Sequence, residues 1–145
     1  MTPQTCNIRF QTRATGLGLT LTIKLNDEVI KTFEETPVEW TEVFYSFPDE
    51  DKPYKLVIEM SGKTDDHTVL DDDGNIMLDS LIEIKDMSLD EIELGFVFSE
   101  QAKYHHNGNG YTEWQEEEFH GIMGCNGYVE MNFTGPVYLW LLENM

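Results

Sequence analysis

Apolar and polar residues alternate along most of this chain, a period that points to β-structure. Leu19-Thr20-Leu21-Thr22-Ile23-Lys24-Leu25 places every second side chain on one face, the pattern of a half-buried strand. Asn26-Asp27-Glu28 then reads as a turn, and Val29 to Phe33 as its hairpin partner. Asn7 to Arg13 gives an earlier strand with Ile8 and Phe10 on one face. Trp40 to Phe47 is rich in aromatic and β-branched residues and is stopped by Pro48-Asp49-Glu50-Asp51-Lys52-Pro53. Tyr54 to Met60 resumes the alternation, followed by Ile76 to Leu78, Leu81 to Ile84, Ile92 to Phe98 and Tyr128 to Phe133. Gly135-Pro136 reads as a turn and Val137 to Leu142 as a closing, buried strand.

Eight to ten short strands, spaced about 8–12 residues apart with almost no helical period, predict an all-β fold. The expected architecture is an antiparallel β-sandwich of jelly-roll type, a single domain over residues 1–145. Residues 99–127 break the pattern and read as one long irregular excursion, within which 112–119 is the candidate for a short helix. Trp40 and Trp140, inside strand patterns, are expected in the core.

Charge decides which partners are excluded. The net charge is −19, with nine Lys and Arg against 28 Asp and Glu, so phosphate backbones and anionic membrane surfaces are repelled. An acidic mimic that occupies another protein's nucleic-acid groove needs only this sign of charge and stays open. Hydrophobic content of 40% supplies a core. The first residues, Met1-Thr2-Pro3-Gln4-Thr5, carry no basic and apolar leader, and the expectation is a protein made in the cytoplasm without a signal peptide. Cys6 and Cys125 lie near opposite ends, with no zinc spacing, and read as separate thiols. No nucleophile motif or phosphate-binding glycine loop is present, so a non-enzymatic role is expected.

Residues 65–79 hold six carboxylates and an Asn carbonyl in fifteen positions. Such crowding is costly unless water or a cation screens it, and hard oxygen donors suit Ca²⁺, which takes 6–8 of them. An EF-hand is excluded, because Gly74 at loop position 6 would put Val69 at position 1. The ligands would converge from a β-loop, with Asp73, Asn75 and Asp79 as donors and Asp71 and Asp72 completing the set. His105-His106, with His120 and nearby glutamates, is a weaker candidate for a zinc or nickel site, since adjacent histidines on an extended chain point to opposite faces. Tyr104, Tyr111 and Trp114 are candidates to stack on the apolar face of a sugar ring or to anchor the excursion.

The order of these pieces resembles a known family. Ile8–Gly16, Leu19–Asp27, Trp40–Phe47, Tyr54–Met60 and the run Asp73-Gly74-Asn75-Ile76-Met77-Leu78-Asp79-Ser80-Leu81-Ile82-Glu83-Ile84 are similar to the calcium-dependent xylan-binding type of carbohydrate-binding module. The resemblance spans residues 8–94 and leaves 95–145 beyond the module. It implies Ca²⁺ held at the loop, with a sugar diol completing its shell, Asp73 and Asp79 as side-chain ligands and Met77 offering its backbone carbonyl. Gly74 stands where the family usually has Arg. The tail Phe133 to Asn144 resembles small proteins of large marine and cyanobacterial phages, which implies a virion as location and virion proteins as partners. Three roles stay open: a calcium-dependent glycan-binding module on a phage particle, a virion assembly protein without sugar binding, and a nucleic-acid mimic.

Overall fold

The structure, a computed structural model, describes residues 4–64, 68–70 and 72–145, with the side chains at 68, 69 and 76–78 outside the description. Asp71 therefore lies outside the described residues, and of Met77 only the backbone is described. The strands are β1 (Thr5–Ala14), β2 (Thr20–Leu25), β3 (Glu28–Phe33), β4 (Thr41–Pro48), β5 (Pro53–Ser61), β6 (Thr68–Leu70), β7 (Ile76–Asp79) and β8 (Ile82–Leu89). They continue as β9 (Ile92–Glu93), β10 (Ala102–His106), β11 (Gln115–Glu118), β12 (Ile122–Met123) and β13 (Gly127–Thr134). Two helices, α1 (Phe96–Gln101) and α2 (Val137–Asn144), complete the chain.

Two sheets form the sandwich expected from the alternation. One has the order β12-β8-β1-β4, with β9 also on β8; the other has the order β11-β10-β13-β5-β2-β3; β6 and β7 form a separate hairpin. Among the described residues every pairing is antiparallel. The core lies between the inner faces. Cys6, Ile8, Phe10 and Ala14 of β1 meet Leu21, Ile23, Leu56, Ile58, Met60, Val129, Met131 and Phe133 in one buried cluster. Their strands show the strict buried-and-open alternation that a two-period sequence imposes.

Residues 95–145 are part of this framework. Strand β13 sits between β10 and β5 in the middle of the six-stranded sheet, so the segment expected beyond the module supplies three of that sheet's six strands, β10, β11 and β13. The expected irregular excursion is likewise corrected: residues 99–127 contain the end of α1, then β10, β11 and β12. The stretch 112–119 holds the strand β11 where a helix was the candidate. Its four residues are all polar and all exposed, so an edge strand solvated on both faces carries no alternation to read.

The closing strand is a helix. Val137, Trp140 and Leu141 are the buried residues of α2, a spacing of three and four that fits one helical face. The backbone amide of Val137 donates to both carboxylate oxygens of Asp49, at 3.1 and 3.3 Å, which satisfies one of the open amides of the first turn. Ile92 to Phe98 is also divided, into β9 and the start of α1, at Gly95 with φ +56. Trp140 is buried as expected, but Trp40 is half-buried on the outer face between Arg13 at 4.6 Å and Lys85 at 4.1 Å.

Both cysteines are free. Burial, with the charges of Asp90 and Asp49 added, pushes the Cys6 thiol up to about 12. Thiolate is the reactive form, so maleimide at pH 8 should label Cys6 only once the chain unfolds, read by mass spectrometry with and without urea. Labelling of Cys6 in the folded protein within minutes would contradict its place in the core.

Candidate functional site

Of the acidic segment, Thr68–Leu70 and Ile76–Asp79 pair as the β6–β7 hairpin, with Thr68 opposite Asp79 and Leu70 opposite Ile76. Asp72, Asp73, Gly74 and Asn75 form its exposed tip. Gly74 holds φ +84 with open space around it, so the tip turns where a side chain would be strained. Asp79 lies at the other end of β7. Among the described residues no three His, Cys, Asp or Glu side chains come together as a metal cluster.

Asp79 is instead part of a buried latch. Its Oδ1 accepts from Lys63 Nζ at 2.6 Å, and the same ammonium donates to the Gly124 carbonyl at 2.6 Å. The Lys63 side chain is 3% exposed, so those two oxygens replace the water that its ammonium gives up. The Asp79 carbonyl accepts from Thr15 Oγ1 at 2.9 Å, while the Leu81 amide donates to that hydroxyl at 2.9 Å. Gly16 fits beside this foot because a Cβ there would stand 2.1 Å from Ser80 Oγ.

The same latch reaches the aromatic turn. Asn126 Oδ1 accepts from the Lys63 amide and its Nδ2 donates to the Lys63 carbonyl, both at 2.9 Å. The Asn126 amide donates to Asn109 Oδ1 at 2.8 Å. Asn109 belongs to the 3₁₀ turn Gly108–Gly110, which is capped by the Asn107 side chain. One polar network therefore carries both the foot of the acidic hairpin and the turn that presents Tyr111, 76% exposed.

The three aromatic candidates separate. Tyr104 is buried and anchors: its hydroxyl donates to the Cys125 carbonyl and accepts from the Cys125 amide at 2.8 Å. Burial raises its phenol pKa, offset in part by the Cys125 carbonyl. A ring held inside the sandwich has no face to offer a ligand, which corrects its place among the stacking candidates. Tyr111 is exposed on the turn, and Trp114 leans over Tyr128 on the outer face of the larger sheet, at 6.3 Å between ring centres.

His105 and His106 point to opposite faces of β10, as the extended chain requires. His106 is buried, receives the Gly108 amide on Nδ1 at 3.1 Å and donates from Nε2 to Glu117 at 3.2 Å. His105 stacks on Tyr128 at 4.7 Å. Sequence reasoning passed over Tyr128 as a strand residue; its signal was the outward position of an aromatic in an alternating strand.

No protein-family model matches the chain, and no curated protein matches it in sequence. Among solved structures, a selenomethionine form of vCBM60 is similar, with a TM-score of 0.57 at 7% identity over 87% of this chain and 89% of that one. It is described through the circular permutation that links two families of calcium-dependent carbohydrate-binding modules. vCBM60 in complex with galactobiose is similar with a TM-score of 0.51 at 9% identity, over 87% of this chain and 98% of that one. The likeness is one of fold, and it extends past the residues 8–94 on which the sequence resemblance rests. This chain has an antiparallel β-sandwich fold similar to that of vCBM60.

Proposed function

We propose that the protein is a non-catalytic glycan-binding module that uses Ca²⁺ at the acidic hairpin. The observation that carries this reading is the Lys63 latch, which fixes a carboxylate-rich hairpin and an exposed aromatic turn to one scaffold. The fold shared with vCBM60, one structure of which holds galactobiose, supports it. The donor chemistry fits the ion: Asp72, Asp73 and Asn75 offer carboxylate and amide oxygens only and are exposed, and Ca²⁺ accepts water or ligand hydroxyls for the rest of its shell. Asp79, engaged by Lys63, serves the scaffold. When bound, the ion supplies a hard centre for vicinal hydroxyls; Tyr111 supplies an apolar ring face.

A small sugar offers few atoms against the entropy of association, so single-site affinity is expected to be weak and multivalent display to raise it. The test is a glycan array, galactobiose included, probed with a multivalent form in calcium, in chelator and as Asp73→Asn. Binding in calcium, lost in both other arms, is the expected result. In parallel, free Ca²⁺ at about 100 times its dissociation constant should stabilise the folded chain by about 2.7 kcal/mol. Silence on the array from a folded, calcium-loaded protein would overturn the glycan reading.

One observation favours a second reading, an assembly role. Ile92, Tyr138, Leu141, Leu142 and Met145 line an apolar hollow of about 380 Å³, and Leu142 is 75% exposed. Contiguous apolar surface of this kind marks contact with another molecule. Together with the phage resemblance of the tail, it supports a place on a virion, with other virion proteins as partners. A silent array and self-association through this patch would move the assignment there.

A further inference from the structure

The outer face of the six-stranded sheet carries a pocket that the calcium reading does not use. Register places Glu116, His105, Tyr128 and Glu59 side by side across β11, β10, β13 and β5. His105 lies almost parallel to Tyr128, with 16° between the rings. Trp114, at 61% exposure, tilts over Tyr128 by 40°. His105, Trp114, Gln115, Glu116 and Tyr128 line an open pocket of about 280 Å³, at the small end of ligand sites.

Charge separates the candidate ligands. The pocket joins aromatic faces to a carboxylate on one side, Glu116, and a second, Glu59, lies beyond Tyr128. A cation over an aromatic face is attracted by the ring quadrupole, most strongly by Trp, and a chain of −19 raises the local cation concentration. Elsewhere the protein fills such positions internally: Phe44, Trp40, Phe33 and Tyr54 each carry an Arg or Lys over the ring. Among the described contacts, Trp114 carries none, and Tyr128 carries only the stacked imidazole of His105, whose Nε2 lies 3.9 Å from Glu116. The lysine nearest in register, Lys103, stands between Glu118 and Glu130.

We propose that this pocket binds an organic ammonium group, alkyl or quaternary, held by Trp114 and Tyr128 with Glu116 as counter-charge. The site is independent of calcium and goes beyond the glycan reading. Its chemistry matches a choline-type headgroup and a lysine-type primary amine alike. Choline and butylammonium distinguish the two sources.

The test is titration followed by NMR of the Trp114 indole N–H, in chelator, with choline and with 3,3-dimethyl-1-butanol, its uncharged carbon isostere. Choline should give a saturable shift, with the isostere at least about fivefold weaker, the factor that one cation–π contact supplies. Trp114→Ala should abolish binding, Glu116→Gln should weaken it several-fold, and added salt should weaken it further. Both side chains are largely exposed, so the variants keep the fold. Butylammonium binding as well as choline would assign the site to ammonium groups in general; choline binding alone would assign it to quaternary ones. Equal binding of choline and the isostere would show a merely apolar pocket and overturn the proposal, as would no binding by either ammonium probe. The readout in chelator keeps this outcome separate from any failure of the calcium site.

Discussion

Asp79→Ala is expected to destabilise the protein by about 3 kcal/mol whether or not calcium is present. Removing one partner of a buried ion pair costs about 3–5 kcal/mol because the other charge is left in low dielectric. Lys63 meets that condition at 3% side-chain exposure, while Asp79 is 26% exposed, which places the effect at the lower end. The Gly124 carbonyl still accepts from the ammonium but carries no compensating charge. The tip carboxylates behave differently: Asp73 is exposed on the hairpin, where no buried charge is left behind, so Asp73→Ala should cost clearly less in chelator than Asp79→Ala. Urea denaturation of both variants in chelator makes the comparison. A second test keeps the volume and removes both charges. Lys63→Met with Asp79→Leu should recover most of the loss, since an apolar replacement of a buried pair is often neutral or stabilising. Equal, small losses for Asp73→Ala and Asp79→Ala would remove the latch as the element that seats the hairpin.

Much of the sandwich is legible in the sequence, and its failures have physical causes. Strands β1, β2 and β5 alternate because one face meets the core and the other meets water, and period two records that. A continuous apolar run does not record it. Val137 to Leu142 suits a buried strand and a buried helix equally until packing is known, and Asp49, 88 residues away, helps to fix the choice by receiving the Val137 amide. Trp40 shows the limit of reading an aromatic in a strand as core. Its neighbours in space, Arg13 and Lys85, are far apart in sequence, and a flanked ring on an outer face leaves no local mark.

The acidic run was legible as a dense set of oxygen donors, but Lys63 was not legible as its internal counter-charge. The lysine precedes the run by only two residues, and nothing in that spacing shows that it turns inward onto Asp79. Long-range geometry decides it, because Gly124 and Asn126 come to Lys63 only through the pairing of β13 with β5. In the same way, the pocket of His105, Trp114 and Tyr128 depends on cross-strand register, and register is set by the whole sheet.

The second large effect belongs to the core where α2 docks. Phe133→Ala should cost about 4 kcal/mol, within the 3–5 kcal/mol range for truncating a buried Phe. Phe133 is 2% exposed. It stacks on Tyr54 at 5.3 Å and 13°, meets Phe47 at 6.0 Å and receives the edge of Trp140 at 6.1 Å. Two of those rings belong to strands, Phe47 to β4 of one sheet and Tyr54 to β5 of the other, and one to the helix, so the cavity opens where both layers and α2 converge. The rigid surroundings limit its collapse: Tyr54 is fixed by donating to the Pro48 carbonyl at 2.6 Å and accepting from the Glu50 amide at 2.9 Å. Such a loss corresponds to a fall in melting temperature of roughly 8–16 °C for a chain of this size. Phe133→Leu, which retains most of the volume, should lose clearly less, and Trp140→Ala should loosen α2 while leaving the sheets paired. Thermal and urea unfolding of the three variants, with amide exchange on α2, reads all of this. A loss below about 1.5 kcal/mol for Phe133→Ala would mean that the helix does not seal the sandwich at this point, and the position of α2 against β13 would have to be revised.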